Sequence, residues 1–480
     1  MTQPAALREC FLAGLPNATD SAAELEMPPP AQIYVPQTHK RALSPDQPLV
    51  IGGRGAGKTL WHSALLDETH RTAVARAFGL RELEGMRVSP GFMTGKDSAD
   101  RFPSPRTLRQ LRDQNRRPSD IWQAVVLRAV SASSTVPTES WAATVAFVAD
   151  NGEAVDQLLR EADTRLIQEG ARHLILFDAL DRVAPESWEH TQELMRGLLM
   201  VALDARGYRA IRLKIFARPD MIERGPATSF PDASKIVGNP VELDWSRADL
   251  YGLLWQYLGN AQDRHGQTFR EFAIRETQGD WPVVDGYFPV PPALRSGESV
   301  QENLFKGLAG PHMGGGPKRG NTYLWLPNHL ADEKQYVSPR SFIVALRVAA
   351  EKTSQDHPTA LAWRAIQEGV RVASNRRTTE IETDLPWVDK AMKPLKGLNV
   401  PCTVADVEER WRLRKVMQEI AADTLHLPPP HFAAAYPVTL LNALVAQGIC
   451  RKMQDGRLNM PDIYRVAYGL LRRGGLPVKR

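Results

Sequence analysis

The run Gly52-Gly53-Arg54-Gly55-Ala56-Gly57-Lys58-Thr59 places a glycine, four residues, a second glycine, a lysine and a threonine in direct succession. Glycines at those positions let the backbone curl so that successive N–H groups converge on one concavity, and a helix starting near Lys58 would aim its positive end at the same point. Polyphosphate is the ligand such a cradle suits. Lys58 would reach the β- and γ-phosphates as a point charge, and the Thr59 hydroxyl would take one coordination position of Mg²⁺. Asp178 closes the apolar run His173-Leu174-Ile175-Leu176-Phe177. In a parallel sheet its carboxylate would lie at the edge carrying the glycine loop, where it would hold Mg²⁺ through water. Asp181 stands three residues on, a candidate for activating the attacking water; the alternative is a cap for the next segment or a partner for Arg182. Ala179 occupies the position where many fast ATPases carry glutamate, which points to slow turnover or a switch. Arg218 follows an apolar run and Arg340 lies in a later helical region; each is expected either to sense a γ-phosphate or to pair with a surface acid. The chain carries no Asn-Lys-x-Asp stretch of the kind that reads guanine, which favours ATP over GTP.

The elements that must position these residues follow from periodicity. Leu49–Ile51 reads as a strand and Thr59–Thr69 as a helix, so the glycine run sits between strand and helix. His173–Phe177 is apolar enough for a strand buried on both faces, Leu213–Ala217 reads as another strand, and Leu194–Ala205 between them is helical. Further helices are expected at Ile121–Ala129 and Glu153–Gln168, with a charged, proline-punctuated connection from Ser89 to Pro118. The expected class is therefore α/β: a P-loop NTPase core with a parallel sheet flanked by helices, followed by a helical domain and a C-terminal winged helix. The expected divisions are 1–45, an irregular lead-in with one short helix; 46–240, the core; 241–397, a helical lid with a Gly/Pro-rich insertion; and 398–480, the winged helix. The last is read from helices at Val404–Met417 and Pro437–Gln447 and two short extended runs about Gln454-Asp455-Gly456.

Bulk properties narrow the class. In 480 residues, 60 basic side chains oppose 55 acidic ones for a net charge of +5, and 12 of the basic residues against 7 acids lie from Pro401 onward. A DNA contact through the C-terminal domain is permitted by that excess but not demanded. The three cysteines, Cys10, Cys402 and Cys450, lack the paired spacing of disulfide frameworks or zinc sites. No apolar stretch is long enough to span a membrane, so no membrane partner is expected and a cytoplasmic location follows by default. The segment Met313–Gly320 is glycine-rich and basic but follows no apolar strand, so a flexible loop is expected. Trp61, Trp122, Trp245 and Trp325 are expected in cores rather than as base-stacking platforms, and His62, His329 and His426 have no metal-ligand spacing.

Taken together, the Gly52–Thr59 loop and Phe177-Asp178-Ala179-Leu180-Asp181 resemble the STAND and KAP branches of P-loop NTPases. Phe216-Ala217-Arg218-Pro219-Asp220 and Leu243-Asp244-Trp245-Ser246 are similar to segments that follow the core in KAP-type ATPases. The resemblance covers about half of the chain. It implies a nucleotide-operated switch with a helical bundle and winged helix after the core, often in bacterial conflict or antiviral systems. STAND proteins usually continue into a long repeat sensor, whereas this sequence ends soon after the winged helix, which implies that sensing or effector work belongs to a partner protein. A homo-oligomer supplying an arginine to its neighbour is compatible with the same reading. The competing expectation is a DNA-dependent ATPase of the origin-binding or transposition-helper kind, with the winged helix on duplex DNA. A phosphate-loop kinase and a non-hydrolysing scaffold also remain open.

Overall fold

The computed structural model describes residues 3–17, 27–94, 100–222, 225–284, 286–424, 426, 428–473 and 476. The chain forms two compact units, Val35–Asp244 and the combination of Met1–Tyr34 with Trp245–Arg480.

In the Val35–Asp244 unit, five strands form one parallel sheet: β1 Leu49–Ile51, β2 Arg87–Phe92, β3 His173–Phe177, β4 Ile211–Ala217 and β5 Val241–Glu242. Their order is β2-β3-β4-β1-β5. Strands β1 and β3 are apolar because helices cover both faces, Leu174 to Phe177 and Leu49 to Val50 being fully buried, whereas β4 also carries Arg212 and Lys214. Strand β4 inserts between the two chemistry-bearing strands, with Ile215 in register with both Leu49 of β1 and Phe177 of β3. Parallel alignment then brings the residues that follow each strand, Gly52, Arg218 and Asp178, to one edge of the sheet. The Gly52 amide donates to the carbonyl of Ala217 at 3.1 Å.

Several sequence expectations need correction here. The Ser89–Pro118 stretch is not merely a connection: it contains most of β2 and a helix at Pro105–Asp113. β2 tolerates Pro90 because it is an edge strand, where a missing N–H is no loss. The helix expected at 59–69 is two, Lys58–Leu66 and Glu68–Phe78, broken at Asp67 because its carboxylate accepts from the His70 amide and caps the second. The short helix expected in the first 45 residues is present at Gln3–Gly14, and the segment divides between the two units at Tyr34. The Gln3–Gly14 helix is part of the second unit's core, where Phe11 is fully buried and the buried Arg8 donates through Nε to the carbonyl of Ala360 at 3.2 Å.

The second unit is otherwise helical. Its centre is an aromatic cluster in which Tyr251 stacks on Tyr323 at 4.2 Å and meets Phe305 and Phe342 edge-on. The region expected as a Gly/Pro-rich connection holds helices at Pro292–Ser296 and Glu298–Ala309. At the C-terminal end, Cys402 pairs with Leu458, helices follow at Val404–Leu413, Val416–Ala421 and Pro437–Ala446, and strands β6 Arg451–Lys452 and β7 Leu458–Asn459 form a hairpin. That is the order of a winged helix, its turn made by Gly456 at φ 81°. Lys415, at φ 56°, breaks the single helix expected over 404–417. Among the described residues, no helix is long and apolar enough to cross a membrane.

Candidate nucleotide site

The loop after β1 has the conformation its composition requires. Gly55 and Gly57 lie at φ 75° and 99°, where side chains other than glycine are strained, and Gly57 is the residue from which the Lys58–Leu66 helix begins. A Cβ on Gly52 would stand 3.0 Å from that of Ala56 and 3.3 Å from those of Leu243 and the Lys58 Cγ, so the base of the loop closes only around glycine. Lys58 folds back over the loop, its Nζ donating to the carbonyls of Gly52 at 2.7 Å and Gly53 at 2.9 Å. Burial pushes its pKa down to about 8; Asp178 and Asp181 oppose that shift, and Arg218 and Arg54 reinforce it. All four of those charges are thus gathered around one ammonium group.

The Thr59 hydroxyl donates to Oδ2 of Asp178 at 2.8 Å. That bond keeps the hydroxyl beside the carboxylate, so Thr59 would reach a Mg²⁺ directly and Asp178 would hold it through water. Asp178 is buried, its amide held by the carbonyl of Phe92 at 2.9 Å. The donor set is also that of a hard cation, all oxygen. The residues therefore fit a Mg²⁺–triphosphate, with Thr59 and Asp178 toward the metal and Gly52 to Lys58 toward the phosphates.

Beyond Asp178 the chain turns sharply through Ala179, in the left-handed region at φ 54° and ψ 34°. For alanine that conformation costs roughly 1–2 kcal/mol. It brings Asp181, on the short turn Leu180–Arg182, back toward β4. There Arg218 donates through NH1 to Oδ2 of Asp181 at 3.1 Å and through Nε to Oδ1 of Asp220 at 2.9 Å, with NH2 on the other Asp220 oxygen. Burial works against the guanidinium charge, but Asp220 and then Asp181 outweigh it and hold Arg218 above its ordinary value. Asp220 is held low by the same pair against its own burial.

Of the residues singled out by sequence, Gly52 to Thr59, Asp178, Asp181 and Arg218 thus come together in one unit. Arg340 belongs to the other unit, on the Pro339–Lys352 helix, where its NH1 donates to Glu380 at 3.0 Å. Trp61, Trp122 and Trp245 are buried, while Trp325 stacks on His329 with 3.8 Å between centroids.

Three residues around the site escaped sequence reasoning. Asp220 completes the grip on Arg218, and the Arg-Pro-Asp spacing was its only sequence signal. His39 is fully buried and accepts from Trp61 Nε1 at 3.1 Å, so its Nε2 carries the proton donated to the carbonyl of Asp244 at 2.9 Å. Burial lowers its pKa to about 4, which keeps the ring neutral and Trp61 fixed behind the loop. Lys214 is a charged residue in the middle of β4, and a lone lysine in an apolar strand was the available signal.

No family model matches the chain, and no curated protein matches it. Among solved structures, it is similar to the ORC2 protein of Aeropyrum pernix, described in its ADPNP–ADP complexes. The TM-score is 0.37 and the identity 13%, covering 87% of this chain and 84% of that one.

Proposed function

We propose that this protein binds ATP with Mg²⁺ and acts as a slowly hydrolysing molecular switch, of the kind its resemblance to STAND and KAP ATPases implies, in a bacterial defence or signalling complex. The observation that carries the reading is the bond from Arg218 to Asp181 beside the phosphate loop. Asp181 is the only acid of the Asp178–Arg182 turn besides Asp178 itself, and its carboxylate is occupied by an arginine. A carboxylate so engaged is not free to orient a water. A γ-phosphate offers Arg218 a competing anion, and transfer of the guanidinium to it would leave Asp181 free to orient water. Resting and competent states would then differ by one exchange of ion-pair partners. A bound Mg²⁺ would neutralise charge developing on the phosphates; Thr59 and Asp178 would hold it, and Lys58 would position the phosphates.

Substitution separates these roles. Asp181→Asn is expected to leave ATP affinity within about twofold while lowering the hydrolysis rate by roughly 100-fold or more, the usual yield of a positioned base. Asp178→Ala is expected to make nucleotide binding insensitive to magnesium. Stopped assays of phosphate release and binding titrations with and without chelator measure both. Equal loss of affinity in the two variants would refute the division of labour, and rapid turnover without any partner would refute the switch.

The winged helix supports a protein partner better than a DNA groove in this reading. Its Pro437–Ala446 helix, the element that would enter a major groove, carries no charged side chain, and Tyr436, Val438 and Val445 are exposed. A partner or effector subunit, or a second copy of the chain, would occupy it.

A further inference from the structure

A dense run of positive charge lies on the Val35–Asp244 unit as well as at the C-terminal end. Between residues 101 and 117 the chain has six arginines, Arg101, Arg106, Arg109, Arg112, Arg116 and Arg117, no lysine, and a single acid, Asp113. The chain's entire net charge is only +5.

The stretch is built to present them. Phe102 is buried against Phe92 of β2, with ring centroids 5.5 Å apart, and Leu108 and Leu111 bury one face of the Pro105–Asp113 helix. Ser104 caps its start by accepting from the Thr107 amide. At its end Asn115 adopts φ 56°, with its amide on Arg112 and that of Arg116 on Leu111, a left-handed cap that turns the chain back. Arg106 and Arg109 are left on the outer face, and Arg101 and Arg117 are exposed as well. Glu186 accounts for part of the charge, accepting from Arg109 at 3.1 Å and Arg112 at 3.2 Å.

Arg116 and Arg117 follow directly and precede the Pro118–Val130 helix, with Arg117 at the capping position and making no side-chain cap. Two cations at the positive end of a 13-residue helix are placed against the helix dipole, with only Asp120 in the first turn to offset them. The Nε of Arg116 is buried with no hydrogen-bond partner among the described residues. An anion brought to this corner would relieve both costs.

We propose that this arginine helix and the turn after it form a contact surface for the sugar–phosphate backbone of duplex nucleic acid, read without regard to sequence. Arginine used to the exclusion of lysine suits two-pronged binding of phosphate oxygens. Gln110, Gln114 and Asn115 are exposed among the arginines and supply the neutral hydrogen bonds typical of backbone contacts. No large apolar or aromatic side chain of the stretch is exposed among the described residues, which leaves nothing to stack on unpaired bases or to enter a lipid surface. A nine-residue helix spans about 13 Å, the rise of about four base pairs, so three to four phosphates are within its reach. Glu186, which holds Arg109 and Arg112, lies five residues beyond Asp181 in the chain.

The test is fluorescence anisotropy of a labelled duplex of about 30 base pairs and arbitrary sequence, titrated with the full chain at several salt concentrations. The wild type is expected to bind with a log–log salt slope near −3, and Arg106→Gln/Arg117→Gln to lose roughly tenfold or more in affinity and about two units of slope. Lys452→Gln/Arg457→Gln in the hairpin of the winged helix is expected to bind as the wild type does. ATP affinity is expected to be unchanged in both, which certifies the fold and keeps this result separate from the switch. The proposal is overturned if the duplex does not bind, if the Arg106/Arg117 variant binds equally well, or if the hairpin variant loses as much. Binding of polyglutamate or phosphatidylserine vesicles as tight as that of the duplex, with the same loss in the variant, overturns the assignment to nucleic acid.

Discussion

Lys58→Met is expected to weaken MgATP binding by roughly 30- to 1,000-fold, the equivalent of about 2–4 kcal/mol for loss of a buried charge-assisted contact. The unliganded protein should not suffer. Its Lys58 ammonium is half-buried among Arg218, Arg54 and two carboxylates, with two backbone carbonyls as its acceptors. Holding that charge out of water already opposes folding, so a neutral side chain of similar length should melt at or above the wild-type temperature. Binding and stability thus move in opposite directions, which a general unfolding defect would not produce.

The same lysine fixes a pH dependence. With its pKa at about 8 before binding, Lys58 is already charged below that pH, and affinity should be flat there. The bound phosphates favour the charged form, so above pH 8 binding must take up a proton and affinity should fall, by at most about tenfold per pH unit. Calorimetric titration in buffers of different ionisation heat would count that proton. A flat profile to pH 9.5 would place Lys58 away from the phosphates.

Lys214→Ala is expected to be the most destabilising single change in the Val35–Asp244 unit, by about 3–5 kcal/mol. The side chain is fully buried, and its Nζ donates to the carbonyls of Ala42 at 2.7 Å, Ser44 at 2.8 Å and Gln47 at 2.7 Å. All three belong to the turn that delivers the chain into β1 and then into the phosphate loop. Without the lysine, three acceptors lose their donor, that of Ala42 in a buried position, and a cavity opens beside them. At roughly 2–4 °C per kcal/mol for a unit of this size, a fall in melting temperature of about 10 °C is expected. Asp46→Asn, at an exposed carboxylate that receives Arg172 and Arg212, should cost far less. A Lys214→Ala protein melting within a degree or two of the wild type would show that the turn holds without its staple.

How much of this was legible in sequence depends on range. The phosphate loop and the strand ending in Asp178 are local patterns: glycine spacing, an apolar run, a terminal acid. Each carries its own physical constraint. β2 was invisible because Ser89-Pro90-Gly91 contradicts strand propensity, and only its edge position makes that tolerable. β5, two residues long, has too little pattern to detect. The bond of Arg218 to Asp181 joins residues 37 apart and depends on β4 lying beside β3, a fact of sheet order rather than of composition. Lys214 and His39 reach backbone carbonyls 167 to 205 residues away, and nothing local distinguishes a buried staple from a surface charge. The arginines of 101–117 were plain as composition, yet their presentation rests on Phe102, Leu108 and Leu111 anchoring one face of a helix that the prolines on either side had concealed.

The central claim is that the Gly52–Thr59 loop embraces a triphosphate while Asp178 faces its metal. Thermal unfolding of the whole chain with increasing MgATP tests it most directly, because a ligand that binds only the folded state adds stability by mass action, about 2.7 kcal/mol at 100 times its dissociation constant. A concentration-dependent rise in melting temperature that disappears in Lys58→Met and shrinks when magnesium is chelated is the predicted result. A folded wild-type protein whose melting temperature is indifferent to MgATP, MgADP and MgGTP alike would contradict it.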